Sequence, residues 1–418
     1  MTIAFKKDEI ILLLGAGASV EANIPASQGM IDKIESLLAG PWSRYRDLYY
    51  FIRSAIQFAD GIKGRFDSGF NVEQLVGTLD DLRLGDRHPL FPFIGAWVPK
   101  LFEVAGADLS TATEFRNIIV RQLRDDWVQL KYREDAAYYA GFCRFQRELQ
   151  DPLRLFSLNY DLCVEAIISD AAIERGFNEE KKWDWRRFDE GRIDPPDIYL
   201  YKLHGSIDWR NDDTERLEYL DAISQIEPNQ LSIIFGTTYK LQAADPFLFF
   251  AYEFRRWTLE MARLIVAIGY GFADDHINSI IKQSLRRNPE RKLLAITYIR
   301  EDPEKNENLA ELEVARAAEI AEAIGLGENE SGQIVCKGCG AGEFISNQLN
   351  LNALAELFPD EEHLFDEIAQ MRTALKDEDV EMTDLGINSP DRNGAASLAP
   401  KSNVPSGEVD DEFGAGIF

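Results

Sequence analysis

Residues 10–20 read IILLLGAGASV. Five aliphatic residues run without a polar break into two glycines, two alanines and a serine. A continuous apolar run of this length suits a strand buried on both faces, as in a parallel sheet covered by helices. The glycines permit a sharp turn and a close approach of backbone. Amide groups at the start of the helix that follows supply donors for a phosphate or pyrophosphate. A full dinucleotide fingerprint would carry a third glycine at position 20, where this chain has Val20, while Ser19 adds a hydroxyl. Nucleotide binding is the reading favoured by the strand–turn–helix context, and a plain tight turn is the alternative.

Further apolar runs lie at 153–157, 198–203, 231–235, 264–268 and 292–298, with helical patterns between most of them. One such pattern, over 26–38, carries Met30, Ile31, Ile34, Leu37 and Leu38, and a second spans 277–285. This alternation predicts an α/β fold, a Rossmann-like doubly wound parallel sheet. Residues 40–150, rich in aromatics and arginine at helical spacing, are too many for one crossover. They read as an inserted helical module, which makes the core discontinuous over 1–39 and 151–300. Beyond it, NLAELEVARAAEIAEAIGLG (308–327) is a helix stopped by glycine, followed by a short apolar run, QIVCKGCG (333–340). Residues 301–376 are therefore expected to form a helical C-terminal region. From Lys376 onward ten acids face three bases among Gly, Ser, Asn and Pro. Residues 377–418 read as an acidic flexible tail or a partner-binding strap.

The chain has 418 residues, 45% of them hydrophobic, and a net charge of −27. That field opposes direct nucleic-acid binding but does not forbid an anionic ligand held by local backbone amides. No apolar run is long enough for a membrane-spanning helix. At the N-terminus, Lys6 and Lys7 are followed at once by Asp8 and Glu9, which suits a first strand and not a signal peptide. Four cysteines are too few for a disulfide framework, so a cytoplasmic location is expected.

Four short motifs follow predicted strands, at the end where open α/β sheets bind ligands: SLNYD (157–161), KLHGS (202–206), FGTT (235–238) and IGYGFADDHIN (268–278). In extended backbone Asn159 and Asp161 point to one side, which would aim an amide and a carboxylate into one space. An Asx-type turn is the alternative. His204 is a candidate general base, beside Gly205 and the Ser206 hydroxyl, against the alternative of a core histidine bonded to backbone. His276 follows Asp274 and Asp275, acids placed to cap a helix. His88 and His363 have no motif around them.

Taken in order, GAGAS (15–19), LNYD (158–161), KLHGS and IGYGFADDHIN resemble the sirtuin superfamily, specifically its bacterial sirtuin-like NADase branch of anti-phage defence. FNVEQLVGTLDDL (70–82) is similar to a helical segment of that branch. The resemblance spans about residues 9–300 and implies NAD+ as substrate. It matches Gly15, Ala16, Gly17 and Ser19 to the dinucleotide loop and Asn159 and Asp161 to the nicotinamide side. His204 matches the catalytic histidine, Gly236 and Thr237 a loop near the ribose and phosphates, and Gly269 and Tyr270 a loop near the adenosine. Deacylating sirtuins carry two CxxC pairs that hold zinc; this chain has only Cys336 and Cys339, with Cys143 and Cys163 as singletons, so no metal is expected. Without the zinc module and the peptide-binding strap, the resemblance implies an NAD+ hydrolase that releases nicotinamide and ADP-ribose. A protein deacylase and a non-catalytic NAD or ADP-ribose sensor are the rivals. The branch also implies gating by homo-oligomerisation or by a separate partner such as a HerA-like ATPase.

Overall fold

The aliphatic residues Ile10–Leu14 form β1, and every one of them is buried. A computed structural model of the chain describes residues 5–62, 64, 69–84, 99–106, 108–189, 191, 194–212, 214, 216–235, 245–299 and 308–358. Gly236, Thr237, His88, His363 and the 377–418 tail lie outside the described residues. In chain order the other strands are β2 (Leu153–Ser157), β3 (Ile173–Glu174), β4 (Ile198–Lys202), β5 (Gly205–Asn211), β6 (Leu217–Tyr219), β7 (Leu231–Ile233), β8 (Leu264–Ile268), β9 (Lys292–Thr297) and β10 (Ile334–Gly338).

Seven strands make one sheet in the order β10-β9-β8-β1-β2-β4-β3, and each adjacent pair is parallel. β1 lies between β2 and β8, so the chain leaves it to one side and later returns on the other. This reversal is the topological switch point, the place at the carboxyl ends of β1 and β8 where sheets of this class bind their ligands. The fold is the Rossmann-like α/β class anticipated by IILLLGAGASV.

Two-residue periodicity sends each strand's side chains to opposite faces. Ile10, Leu12 and Leu14 join a core that includes residues from α1 (Ser27–Leu38), α2 (Arg46–Ile62), α3 (Val72–Leu84), α4 (Pro99–Ala105), α5 (Ser110–Gln122) and α6 (Gly141–Leu149). Ile11 and Leu13 join the other core, with Phe250, Phe254 and Trp257 of α8 (Phe247–Glu260), Ile277, Ile280 and Ile281 of α9 (Asp275–Arg287), and Ile320 and Ile324 of α10 (Leu309–Ile324). Between these, α7 (Cys163–Ile167) follows β2. The helices of residues 40–150 therefore cover one face of the sheet.

Two segments differ from the sequence reading. The 231–235 run does not add a strand to the parallel sheet; its residues Leu231–Ile233 form β7, antiparallel to β5 in a separate sheet of order β6-β5-β7. Only Leu203 and His204 separate β4 from β5, which leaves no room for a helical crossover, so β5 leaves the parallel sheet directly. Gly205 makes that exit at φ +86°, where a β-carbon would clash with Ser232 O. The segment past Arg300 is not helical throughout. Through α10 it returns to place β10 parallel to β9 at the sheet's edge. That strand is only half-buried, which kept its apolar pattern weak.

A buried cation marks the opposite end of the sheet. Arg154 in β2 is 1% exposed; its Nε donates to Asp8 Oδ1 at 2.7 Å and its Nη1 to the Tyr201 hydroxyl at 2.7 Å. Removing one partner of such a pair leaves the other charge buried and uncompensated. Arg154→Met is expected to cost about 3–5 kcal/mol, read as a lower urea midpoint with an unchanged slope.

Candidate active site

Four neighbouring strands, β8, β1, β2 and β4, carry at their carboxyl ends four of the motifs singled out in the sequence. At the switch point the loops after β1 and β8 touch backbone to backbone. Gly15 N–H donates to Ile268 O at 3.0 Å and Gly17 N–H to Gly269 O at 2.8 Å. A β-carbon on Gly15 would meet Tyr270 Cα at 2.5 Å, and one on Gly17 would meet Gly269 Cα at 2.8 Å. Gly269 has φ +63° and packs against the backbone of Gly17 and Ala18. The Ala18 amide bonds Gly15 O at 2.9 Å and opens a 3-10 turn, Ala16–Ala22. These glycines are explained first by the close approach of two loops, and the amides of Gly15, Gly17 and Ala18 are engaged in making it.

Ser19 is fully buried in that turn. Its hydroxyl lies 3.0 Å from the Tyr139 hydroxyl and accepts from Asn159 Nδ2 at 3.2 Å. Asn159 follows β2 and is itself buried, and its Oδ1 has no hydrogen-bond partner among the described residues. Tyr139 belongs to the inserted helical segment, in the turn Arg133–Ala140.

His204 is 5% exposed, and its Nε2 lies 3.1 Å from Asp274 Oδ2. Asp274 is also the N-cap of α9, accepting at Oδ1 from the amides of His276 (3.0 Å) and Ile277 (3.3 Å). One carboxylate thus starts a helix and holds the imidazole. In the neutral tautomer that donates Nε2–H to Asp274, Nδ1 is the acceptor nitrogen; it is buried and has no hydrogen-bond partner among the described residues. Glu73 Oε1 stands 4.0 Å from it. Glu73 is set by the capping box of α3, in which Asn71 Oδ1 accepts from the Gln74 amide at 2.8 Å and Gln74 Oε1 from the Asn71 amide at 3.2 Å. Beneath both, the Tyr160 hydroxyl donates to Ile234 O at 2.7 Å and lies 3.3 Å from Glu73 Oε1. Burial, and then Glu73, holds that phenol well above the usual tyrosine range, so it remains a donor.

Asp161 adopts the Asx turn: its Oδ1 accepts from the Cys163 amide at 3.0 Å and starts α7. Its backbone carbonyl accepts from buried Lys202 Nζ, which also lies 3.4 Å from Glu165 Oε1. Ser206, on β5, is fully buried and its hydroxyl has no hydrogen-bond partner among the described residues. Tyr270 points into α9, where its hydroxyl donates to Asn278 Oδ1 at 2.9 Å. Cys336 and Cys339 are free thiols pushed up to about 11 by burial. Among the described residues no group of three or more His, Cys, Asp and Glu side chains could hold a metal ion, and no helix is long and apolar enough to cross a membrane.

Sequence reasoning passed over Tyr139, Glu73 and Lys202 as site residues and gave Asp274 only its capping role. Glu73 lay within a quoted segment, and its capping box was legible. Tyr139 had no local signal, because its role exists only through contact with Ser19, 120 residues away.

Residues 154–319 match the family model described as a SIR2-like domain. The match takes in Asn159, Asp161, His204, Ser206, Gly269, Tyr270 and Asp274, and leaves out the GAGAS loop, Glu73 and Tyr139. Among solved structures, a Sir2 homologue–NAD complex is 13% identical over 83% of this chain and 89% of that one, with a TM-score of 0.37. A serine-to-alanine variant of a Sir2 homologue with ADP-ribose is also 13% identical, over 85% of this chain and 93% of that one, at a TM-score of 0.37. No curated protein matches the sequence significantly.

The double duty of Asp274 separates two substitutions. Asparagine caps helices as well as aspartate does, so Asp274→Asn is expected to hold its melting temperature close to that of the parent. Asp274→Ala loses the cap and leaves His204 Nε2 buried without a partner, for a combined cost of about 2–4 kcal/mol by chemical denaturation.

Proposed function

With the SIR2-like domain of residues 154–319 as the premise, we propose that this chain is an NAD+ hydrolase. It cleaves the bond between nicotinamide and ribose, taking up water and yielding nicotinamide, ADP-ribose and a proton. The observation that carries the reading is a pair of buried polar atoms just past β2 and β4, Asn159 Oδ1 and His204 Nδ1, which, like Ser206 Oγ on β5, have no hydrogen-bond partner among the described residues. Buried polar groups are nearly always satisfied, so such a set at the carboxyl end of the sheet fits a polar ligand that supplies the missing partners.

Nicotinamide leaves as a neutral molecule, so its departure needs no proton. The transition state has oxocarbenium character, and the task is to hold the ribose, orient a nucleophile and take its proton. By the family resemblance, Gly15, Ala16, Gly17 and Ser19 are assigned to the pyrophosphate and Gly269 and Tyr270 to the adenosine. Gly236 and Thr237 are assigned to the ribose and phosphates by the family resemblance. Asn159 Oδ1 accepts from the attacking water or a ribose hydroxyl and so orients it. His204 Nδ1 accepts the proton, while Asp274 holds Nε2–H and stabilises the charged imidazolium. Asp161 meets the carboxamide of nicotinamide and supports the positive charge that develops at the ribose. The Ser206 hydroxyl adds a contact to the ligand.

In the cell, unregulated NAD+ loss would be lethal, so the activity is gated, by self-association or by a separate protein such as a HerA-like ATPase, in a role against phage. That cellular part rests on the resemblance of the motifs alone.

The test is chromatography of NAD+ after incubation with the protein, alone and with proteins encoded beside it. NAD+ is expected to give nicotinamide and ADP-ribose without any added acyl-lysine peptide; consumption only in the presence of peptide would transfer the protein to the deacylases. His204→Ala and Asn159→Ala are each expected to lower kcat by about 10²–10⁴-fold. Asp274→Asn should do nearly the same while folding normally. Its amide donates to Nε2, which moves the imidazole proton to Nδ1 and removes the base. Near-parental turnover in any of the three would sink the assignment of roles.

A further inference from the structure

The turn Arg133–Ala140 of the inserted segment packs directly on the 3-10 turn that carries Ser19. There the hydrogen bonds run in series. The Tyr139 hydroxyl is 3.0 Å from Ala18 O and 3.0 Å from Ser19 Oγ, and Ser19 Oγ is 3.2 Å from Asn159 Nδ2. Tyr138 adds a second donor to Ala18 O at 2.6 Å, its ring stacked on Tyr139 with centroids 4.5 Å apart. Tyr139, Ser19 and Asn159 are all buried, so no bulk water competes for these bonds.

A carbonyl oxygen only accepts, and this gives the series its direction. Tyr139 donates to Ala18 O, Ser19 donates to the Tyr139 oxygen, and Asn159 donates through Nδ2 to Ser19. Burial, followed by the charge of Asp161, holds the Tyr139 hydroxyl well above the ordinary tyrosine range, so its proton stays in place. The amide of Asn159 is then fixed with Oδ1 on the side away from Ser19, the atom that has no hydrogen-bond partner among the described residues. If the amide were reversed, Nδ2 would be the unpaired group, and the site would offer a donor in place of an acceptor.

We propose that Tyr139 is a positioning residue: through Ser19 it sets the orientation of the Asn159 amide and so presents Oδ1 to the ligand. It belongs to the inserted helical segment, outside the SIR2-like match, and the insert thereby reaches a residue assigned to the reaction without touching the substrate. The kinetic part of this inference rests on the hydrolase reading, and the structural part does not.

Two measurements test it. In nitrogen–proton correlation spectra of the full chain, the Asn159 side-chain NH2 pair is identified by its loss in Asn159→Asp. The pair is expected to shift in both Tyr139→Phe and Ser19→Ala, and a pair that stays in place in Tyr139→Phe overturns the proposal. In steady-state NAD+ hydrolysis, Tyr139→Phe is expected to lower kcat about tenfold with KM within about twofold, the size of one lost hydrogen bond felt by the reacting state. Because the two groups act in series, the double variant with Ser19→Ala should lose no more than the worse single one, whereas multiplying losses overturn the relay. A shifted NH2 pair with unchanged kcat also overturns it, since the orientation would then not matter. If Tyr139→Phe does not fold, Ser19→Ala decides both measurements. If the unmutated protein leaves NAD+ intact, the hydrolase reading falls, and the spectra alone decide whether Tyr139 orients Asn159.

Discussion

The contact between Gly17 and Gly269 is the constraint on which the rest of the site depends. Two loops leave adjacent parallel strands and meet with backbone against backbone, at a separation that no β-carbon on Gly17 would tolerate. The sheet spacing between β1 and β8 fixes where these loops start, and the Gly17 N–H to Gly269 O bond fixes where they meet. Ser19 is then held two residues beyond Gly17, and Asp274 five residues beyond Gly269. Asn159 and His204 receive their hydrogen-bond partners from these two loops. The glycines set the spacing between the amide and the imidazole because they carry no side chains themselves.

The second feature is that the site draws on three separated parts of the chain. Asn159, His204 and Asp274 lie within the SIR2-like segment, Ser19 comes from the first strand's loop, and Tyr139 and Glu73 come from the helices of residues 40–150. Those helices also bury one whole face of the sheet. Covering a sheet face and completing a site are thus done by the same module. A shift of that module would be felt at Asn159 through Tyr139, and at His204 through Glu73, 4.0 Å from its Nδ1. This arrangement gives the helices of residues 40–150 a physical route to Asn159 and His204.

Legibility in the sequence followed the range of the interaction. The strand Ile10–Leu14 and its glycines were legible because burial on both faces and a tight turn are local demands on composition. The motifs after β2, β4 and β8 were legible because strand ends carry ligand residues in this class. The 231–235 run looked the same as a parallel-sheet strand, since an apolar run does not encode its partner, and only the two-residue link between β4 and β5 forced it into the antiparallel sheet. β10 escaped because an edge strand is half-exposed and glycine-rich. Asp161 was read as either an Asx turn or a ligand group; its Oδ1 does form the turn, and a carboxylate has a second oxygen for other work. Tyr139 was not legible, because a tyrosine among aromatics carries no mark of a partner 120 residues away.

The unpaired atoms explain why this polar site is compatible with a stable fold. An unsatisfied buried donor or acceptor costs about 1–3 kcal/mol, and Asn159 Oδ1, His204 Nδ1 and Ser206 Oγ each carry such a cost in the free protein. Near them, similar groups are fully used: Asp274 caps a helix and holds an imidazole, Lys202 bonds a carbonyl beside a carboxylate, and Tyr160 bonds Ile234 O. Asp274, Lys202 and Tyr160 are bonded, and the atoms assigned to the ligand have no hydrogen-bond partner among the described residues, as also holds for both oxygens of Glu165 beside Lys202. A ligand that supplies hydroxyls to these atoms recovers their desolvation cost on binding without reorganising the residues behind them, which is the physical content of a preorganised site.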